Sequence, residues 1–166
     1  MSTALPPLSD AEADEYLARL GLDRSVVESD AAGLVATLSR AHLTHVPFEN
    51  LDQVFGAGVA HDLDAGLAKL LAGRGGWCFE LNGSFARLLE HLGHDVLLIG
   101  CAVLLDGPSD VLEHVALEVS GGPGGLTPHL VDVGFGDSFV TPLALNRPGP
   151  QPGGNGAYEL IASPKG

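Results

Sequence analysis

The sequence has few basic residues. Lys and Arg number 8 against 21 Asp and Glu, which gives a formal net charge of −13 over 166 residues. Proteins that bind nucleic acids or anionic membrane surfaces use clustered cations to contact phosphate groups, so this balance argues against both kinds of partner. Long apolar runs are also missing. The stretch 96–105 is interrupted by Gly100 and is shorter than the ~20 residues of a membrane-spanning helix.

The N-terminus lacks the features of a secretory signal, and cysteine is scarce. Residues 1–16 contain neither a basic start nor an apolar core, so we expect a cytoplasmic protein. In a reducing compartment, free thiols are a better expectation for Cys78 and Cys101 than a disulfide. Hydrophobic residues make up 45% of the chain, which is enough to bury a core in one large domain or two small packed ones.

The spacing of apolar residues changes from helical to strand-like near residue 94. Ser9 and Asp62 are of the type that caps helix N-termini, while Gly21 and Gly73 are of the type that ends helices. The predicted helices are 9–20, 62–72 and 78–92, with a further one that begins at residue 29 or 30 and ends at 42. The predicted strands are 95–105, 111–119, 130–135 and 157–161. The glycine-rich segment 121–125 predicts a hairpin tip. This order predicts helices followed by antiparallel strands.

Cys78 follows Arg74-Gly75-Gly76-Trp77 and stands at the start of the longest helical pattern. Two glycines allow the backbone to turn sharply, and the free N–H groups and positive dipole end of a helix favour a thiolate. This arrangement is typical of an activated nucleophile. The alternative is a small buried hydrophobic residue, which is the commonest fate of a free cysteine.

His114 and Asp132 are polar residues within strand-like apolar runs. A thiol nucleophile needs an imidazole to take its proton and an acceptor to hold that imidazole in one tautomer. Buried carboxylates are rare unless they are paired, and neighbouring strands would allow these two side chains to bond. A core histidine bonded to a backbone carbonyl is the alternative for His114. Cys78, His114 and Asp132 therefore form a credible nucleophile, base and orienting group.

Five segments resemble the arylamine N-acetyltransferase family. They are YLARLG (16–21), AHLTHVPFENLD (41–52), RGGWCFELNGSFARLLEHLGHDV (74–96), EHVALEV (113–119) and LVDVGFGDSFVTPLAL (130–145). The combination of RGGxCxExN with PFEN and DVGFG, in this order, is highly specific for the family, whereas short apolar motifs alone would not be.

The resemblance implies an α+β fold. An N-terminal helical bundle, residues 1–94, would pack on an antiparallel β-barrel-like domain, residues 95–166, around a cysteine-protease-like Cys-His-Asp core. The family's catalytic triad falls on Cys78, His114 and Asp132.

The implied activity is acetyl transfer by a ping-pong mechanism. Cys78 would take an acetyl group from acetyl-CoA and pass it to an arylamine or arylhydrazine, without a metal. Phe48 of PFEN and Phe135 of DVGFG match the family's aromatic acceptor site, although each could equally pack in the core. Arg74 and Glu49 would form an ion pair that orders the turn before Cys78, or else remain separate solvated charges.

Length is where the sequence departs from the family pattern. Members continue for roughly another hundred residues as a third domain, which covers the cleft and contributes to coenzyme A binding. Without that domain, we expect a weaker grip on acetyl-CoA and exposed apolar surface that favours homo-oligomers. One alternative function is an amide synthase that closes a macrolactam from a thioester-bound polyketide. The others are a catalytically weak truncated remnant, a non-catalytic remnant that binds a hydrophobic amine or a partner without turnover, and a thiol-protease-like hydrolase.

Overall fold

Six helices precede six strands in the computed structural model, which describes residues 5–29, 31–56, 58, 61–104 and 111–162. The helices are α1 (Asp10–Arg19), α2 (Ser25–Ser29), α3 (Leu34–His45), α4 (Leu51–Val54), α5 (Leu63–Leu71) and α6 (Cys78–His91). The strands are β1 (His94–Cys101), β2 (His114–Gly121), β3 (Leu126–Val131), β4 (Leu143–Ala144), β5 (Gln151–Pro152) and β6 (Ala157–Tyr158). The predicted order of helices followed by strands is confirmed.

The predicted caps of two helices are present. The Ser9 hydroxyl accepts a hydrogen bond from the Glu12 amide at 3.3 Å, and the Glu12 carboxylate accepts one from the Ser9 amide at 2.8 Å, so α1 begins with a reciprocal capping box. Asp62 caps α5 by accepting from the amides of Asp64 and Ala65 at 2.8 and 3.1 Å. These bonds satisfy amide groups that a helix leaves free at its first turn.

The predicted helix at 29–42 has the wrong bounds. The structure has a separate short α2 before it, and α3 begins only after Gly33, which offers no side chain to cap it. At its other end α3 continues three residues further than predicted. Pro47 restricts only the residue before it, and Val46 accordingly adopts extended backbone angles of φ −116° and ψ 110°.

Four strands form an antiparallel sheet in the order β1-β2-β3-β4, and β5 pairs with β6 in a separate two-stranded sheet. Cys101 pairs with His114 where β1 and β2 meet at one end, and Leu117 pairs with Val131 between β2 and β3. The predicted hairpin tip joins β2 to β3. Closure into a barrel stays a prediction.

Strand ends differ from the predictions. β1 begins at His94, one residue before the predicted boundary, and Leu105, the predicted end of this strand, lies outside the described residues. β3 begins earlier than predicted and ends at Val131, so Asp132 follows the strand instead of lying within it. Two-residue strands such as β4 and β5 carry too short a pattern to be recognised from sequence.

The hydrophobic core contains side chains from both the helices and the sheet. Helix α6 packs against α5 and against β1 and β2. Its Phe85 is fully buried, as are Tyr16 of α1, Leu38 of α3 and Leu117 of β2. The N-terminal end of α6 is thereby fixed beside β2. The division into domains at residue 94 stays a prediction, and its outermost residues, 1–4 and 163–166, lie outside the described residues. None of the described helices is long and apolar enough to cross a bilayer.

Candidate active site

Cys78 is the first residue of α6. Trp77 precedes it as the N-cap residue with extended backbone, so the cysteine lies where the first amides of the helix have no helical partner. The thiol is 6% exposed, and its sulfur lies 3.9 Å from the carbonyl oxygen of Glu113. Cys78 is thus buried, yet it lies at the helix end that favours a thiolate.

The two glycines before Cys78 serve close packing rather than a sharp turn. Neither Gly75 nor Gly76 has a positive φ, although the sequence suggested that glycine was needed there for turning. A Cβ at Gly75 would overlap the carbonyl oxygen of Pro47. Two hydrogen bonds join the PFEN segment to the turn before Cys78. One runs from the Glu49 amide to the Gly76 carbonyl at 2.8 Å, and the other from the Gly76 amide to the Pro47 carbonyl at 3.3 Å. The PFEN segment therefore packs directly against the backbone that leads into α6.

His114 begins β2 and lies between Asp132 and Cys78. Its Nε2 lies 2.7 Å from Asp132 Oδ2, and its side chain is also hydrogen-bonded to that of Cys78. Burial by itself would lower the pKa of His114, but the hydrogen bonds to Asp132 and Cys78 and the nearby negative charge outweigh burial and raise it to about 9. The imidazole is therefore protonated at neutral pH.

The Asp132 carboxylate is buried, and each of its oxygens accepts hydrogen bonds. Oδ2 faces His114, while Oδ1 accepts from Asn82 Nδ2 and from the Gly134 amide, both at 2.9 Å. The structure thus brings together the three residues that the sequence singled out. Their position differs from the prediction in one respect, because Asp132 stands on the turn after β3.

Asn82 is a further residue of the site. It is the last residue of the RGGxCxExN motif, but the sequence alone assigned it no role. Its Nδ2 donates to Asp132 Oδ1 at 2.9 Å and to the Val115 carbonyl at 2.6 Å, and its Oδ1 accepts from the Val133 amide at 3.0 Å. The signal was its place four residues after Cys78, which puts both side chains on one face of α6. Asn82 joins the helix to β2 and to the turn after β3.

Gly134 allows α6 to approach the turn that carries Asp132. A Cβ at this position would lie 2.7 Å from Asn82 Nδ2 and 2.8 Å from the Cα of Cys78. Such distances are shorter than van der Waals contact, so any larger residue would push the helix end away from the turn.

The sequence profile of the N-acetyltransferase family matches residues 34–166, a range that includes Cys78, His114 and Asp132. The chain is 39% identical to the arylamine N-acetyltransferase of Mycolicibacterium smegmatis over 137 residues, which cover 78% of this chain and 49% of that protein. The chain belongs to the arylamine N-acetyltransferase family. It is also 38% identical to the arylamine N-acetyltransferase / N-hydroxyarylamine O-acetyltransferase of Salmonella typhimurium over 129 residues, with coverages of 75% and 45%.

Solved arylamine N-acetyltransferases share the fold. The Salmonella typhimurium structure has a TM-score of 0.81 at 33% identity and covers 93% of this chain and 56% of that one. The structure of the Mycobacterium marinum enzyme in complex with CoA has a TM-score of 0.72 at 33% identity, with coverages of 82% and 52%. The chain therefore spans about half the length of the relatives it matches.

The two phenylalanines that match the family's acceptor site both lie near the surface. Phe135 is 39% exposed, and its ring meets the His114 ring edge-on with centroids 5.1 Å apart. Phe48 is 48% exposed and lies next to Gly136, where an added Cβ would lie 3.7 Å from the Phe48 Cβ. These exposures exclude full burial in the core for both rings.

Cys101 lies closer to the candidate active site than the sequence predicted. It pairs directly with His114 across β1 and β2, so the two side chains stand on the same face of the sheet. The thiol is half-buried, whereas a core position was predicted. Burial raises the pKa of Cys101, and the charges of Asp132 and Cys78 add to this effect.

A cluster of five charged side chains lies beside the turn before α6. We call it the charge cluster; its members are Glu49, Asp52, Lys69, Arg74 and Glu80. Arg74 contacts Glu49 Oε1 at 2.7 Å and Asp52 Oδ1 at 3.0 Å, so the ion pair considered from sequence between Arg74 and Glu49 is present. Lys69 was not recognised, because nothing in the spacing of α5 indicates which side chains its ammonium contacts.

Within the described ranges, no three His, Cys, Asp or Glu side chains are grouped so that they could hold a metal ion.

Proposed function

We propose that this chain carries the chemistry of an acetyl-CoA:arylamine N-acetyltransferase, with Cys78 as nucleophile, His114 as general acid and base, and Asp132 as the orienting group. The observation that carries the proposal is the buried 2.7 Å contact between Asp132 and His114, with the imidazole hydrogen-bonded to a cysteine at a helix N-terminus. These are the three roles that a triad assigns in nucleophilic catalysis by a thiol.

The orientation of the His114 ring follows from its partners. Asp132 Oδ2 accepts the Nε2–H, which leaves Nδ1 as the ring nitrogen that faces the thiol. Because the pKa of His114 is raised to about 9, the imidazole is protonated in the resting state at neutral pH. Asn82 supports this arrangement by binding Asp132 Oδ1.

In the first half-reaction, the Cys78 thiolate attacks the thioester carbonyl of acetyl-CoA. The tetrahedral adduct collapses with loss of the coenzyme A sulfur, which takes the proton from the His114 imidazolium and leaves as a thiol. The products are S-acetyl Cys78, neutral His114 and free coenzyme A. Exchange of one thioester for another has little energetic cost, so the step is readily reversible.

In the second half-reaction, the amine of the acceptor attacks the S-acetyl carbonyl. Neutral His114 takes the amine proton as the new C–N bond forms, and the C–S bond to Cys78 then breaks. The amide leaves, and the thiolate and imidazolium are restored. Phe135, in contact with the His114 ring, and Phe48 are proposed to contact the aromatic part of the acceptor.

Two further assignments belong to this proposal. The Mycobacterium marinum relative binds CoA, which supports acetyl-CoA as the acyl donor of this chain. The order of helices followed by strands supports a helical domain over residues 1–94 and a β-barrel-like domain over residues 95–166, with the first strand beginning at His94.

Intact mass spectrometry tests the proposed function. After incubation with acetyl-CoA, the wild-type chain is expected to gain the mass of one acetyl group, mapped to the peptide with Cys78 and lost on addition of an arylamine. Cys78→Ser should remain unlabelled, and Cys101→Ser, the matched control, should be labelled like the wild type. Absence of the adduct, or labelling that persists in Cys78→Ser, would show that the assignment is wrong.

A further inference from the structure

Lys69 joins three carboxylates that belong to three different segments. Its Nζ lies 2.8 Å from Asp52 Oδ2 in α4, 3.0 Å from Glu80 Oε2 in α6 and 3.5 Å from Glu49 Oε1 in the PFEN segment. The side chain is only 13% exposed. Burial would lower the pKa of Lys69, but the hydrogen bonds to Asp52 and Glu80 outweigh burial and raise it, so the side chain is an ammonium ion at neutral pH.

Two of these carboxylates belong to the segments that form the turn before Cys78. Glu80 Oε2, which faces Lys69, also accepts a hydrogen bond from the Trp77 amide at 3.1 Å. The Glu49 amide donates to the Gly76 carbonyl at 2.8 Å. Lys69 thus links the two segments that set the position of the helix start.

Lys69 also balances a negative charge in the first turn of α6. Among the ion pairs of the described residues, Lys69 is the cation that contacts Glu80, whereas Arg74 contacts Glu49 and Asp52. Without Lys69, the Glu80 carboxylate would have no cation partner in the helical turn that begins with Cys78. Partly buried charges are screened poorly, so an unpaired carboxylate there would oppose the thiolate.

We propose that Lys69 is a positioning residue for the nucleophile, which fixes the turn before α6 and neutralises the Glu80 carboxylate in the helical turn that begins with Cys78. The inference rests on the proposed function in one respect, namely that Cys78 is the reacting residue.

The pH dependence of Cys78 alkylation tests this role. The rate with iodoacetamide is measured by mapping the Cys78 peptide, and melting curves identify folded variants. Lys69→Met is expected to raise the pH of half-maximal rate by about half a unit or more and to slow alkylation about threefold or more at pH values well below that midpoint. Lys69→Arg should restore the wild-type profile, since it keeps the charge. Arg24→Gln, which breaks an exposed ion pair with Asp14, is the matched control and should leave the profile unchanged.

A double variant separates charge balance from a purely structural role. In Lys69→Met/Glu80→Gln the unpaired charge is gone while an acceptor for the Trp77 amide remains, so the pH of half-maximal rate should return towards the wild-type value. A structural role alone would lower the melting temperature and leave this pH unchanged. If Lys69→Met does not fold, Glu80→Gln alone is expected to lower the pH of half-maximal rate.

Alkylation requires no acetyl-CoA, so the two proposals can fail separately. A wild-type chain that is alkylated at Cys78 but not acetylated would contradict the proposed function and still allow the test of Lys69. A folded Lys69→Met variant with the wild-type pH profile would overturn the role of Lys69, whatever the acetylation result. An unchanged profile in folded Glu80→Gln would do the same.

Discussion

Both oxygens of the Asp132 carboxylate accept hydrogen bonds, and this limits what can replace it. Oδ2 faces His114 Nε2, and Oδ1 faces donors from Asn82 and Gly134. An amide at this position would offer one acceptor and one donor to a set of partners that all donate. Either the histidine changes tautomer or a donor is left without an acceptor.

Asp132→Asn is therefore expected to slow acetylation of Cys78 by roughly 100-fold or more, because it favours the tautomer with the proton on the wrong nitrogen. It should also lower the free energy of unfolding by about 1 to 3 kcal/mol. Acetylation is followed by intact mass and stability by chemical denaturation, so the two effects are measured separately. A folded variant that is acetylated within about threefold of the wild-type rate would remove Asp132 from the triad.

Sequence reasoning identified Cys78, His114 and Asp132, because each is chemically out of place in its local pattern. A cysteine after two glycines and two polar residues in apolar runs are visible without coordinates. Asn82 and Lys69 lie on helices where polar residues are ordinary, and their significance comes from partners distant in the chain. Such contacts depend on tertiary packing, which local patterns do not encode.

Among the contacts between whole elements, the approach of the PFEN segment to the start of α6 depends on one residue, Gly75. The backbone of Gly75 lies against Pro47, and hydrogen bonds between Glu49 and Gly76 hold the two segments together. A side chain at residue 75 would separate the segments and displace the start of the helix that carries Cys78.

Gly75→Ala is expected to lower the free energy of unfolding by about 1 to 3 kcal/mol, since it forces a methyl group against a backbone carbonyl. Alkylation of Cys78 by iodoacetamide should also become slower. Gly156→Ala is a suitable control, because its added methyl would meet only Tyr158 at 3.7 Å. Equal denaturation midpoints for the two variants would contradict this account of the packing.

Element boundaries were predicted well where a side chain marks them and poorly elsewhere. Ser9 and Asp62 cap α1 and α5 as expected. Helix α3 has no side-chain cap, and its true start after Gly33 was missed. Asp132 was placed inside a strand because the apolar run around it continues past the last residue of β3 that pairs.

At the scale of the whole molecule, a buried histidine makes stability depend on pH. His42 is fully buried, and its Nε2 lies 3.0 Å from the Tyr16 hydroxyl. Burial, aided by the positive charge of Arg19, lowers the pKa of His42 to about 3. In the unfolded chain His42 binds a proton near pH 6.5, whereas in the folded chain it does so only near pH 3. The free energy of unfolding is therefore highest above about pH 6.5, as far as His42 is concerned, and decreases as the pH falls towards about 3.

His42→Gln is expected to reduce the loss of stability between pH 7 and pH 4, measured as the change in the free energy of unfolding. At pH 8 the histidine is neutral in both states, so the difference between variant and wild type there gives the packing cost alone. Protonation of Asp52 also lowers the free energy of unfolding in acid, but at lower pH, because the hydrogen bond from Lys69 lowers the pKa of this carboxyl group. A variant whose stability falls with acid as steeply as that of the wild type would contradict the assignment.

The fold class and the family could be inferred from sequence because the motifs are specific and the change from helical to strand spacing is sharp. Barrel closure depends on which strand edges meet in space, and the described strands form one four-stranded and one two-stranded sheet. Cytoplasmic location and self-association likewise stay predictions, because neither depends on contacts within one chain.

The position of Cys101 opposite His114 places a second thiol beside the sulfur that we propose to react. Its thiol has a raised pKa and should be the slower of the two towards electrophiles. If Cys78 is acetylated as proposed, however, its sulfur is masked while the Cys101 thiol remains free. The acetyl group would then protect Cys78 from electrophiles. A covalent probe attached to Cys101 at that stage would lie beside the His114 imidazole without reacting with Cys78.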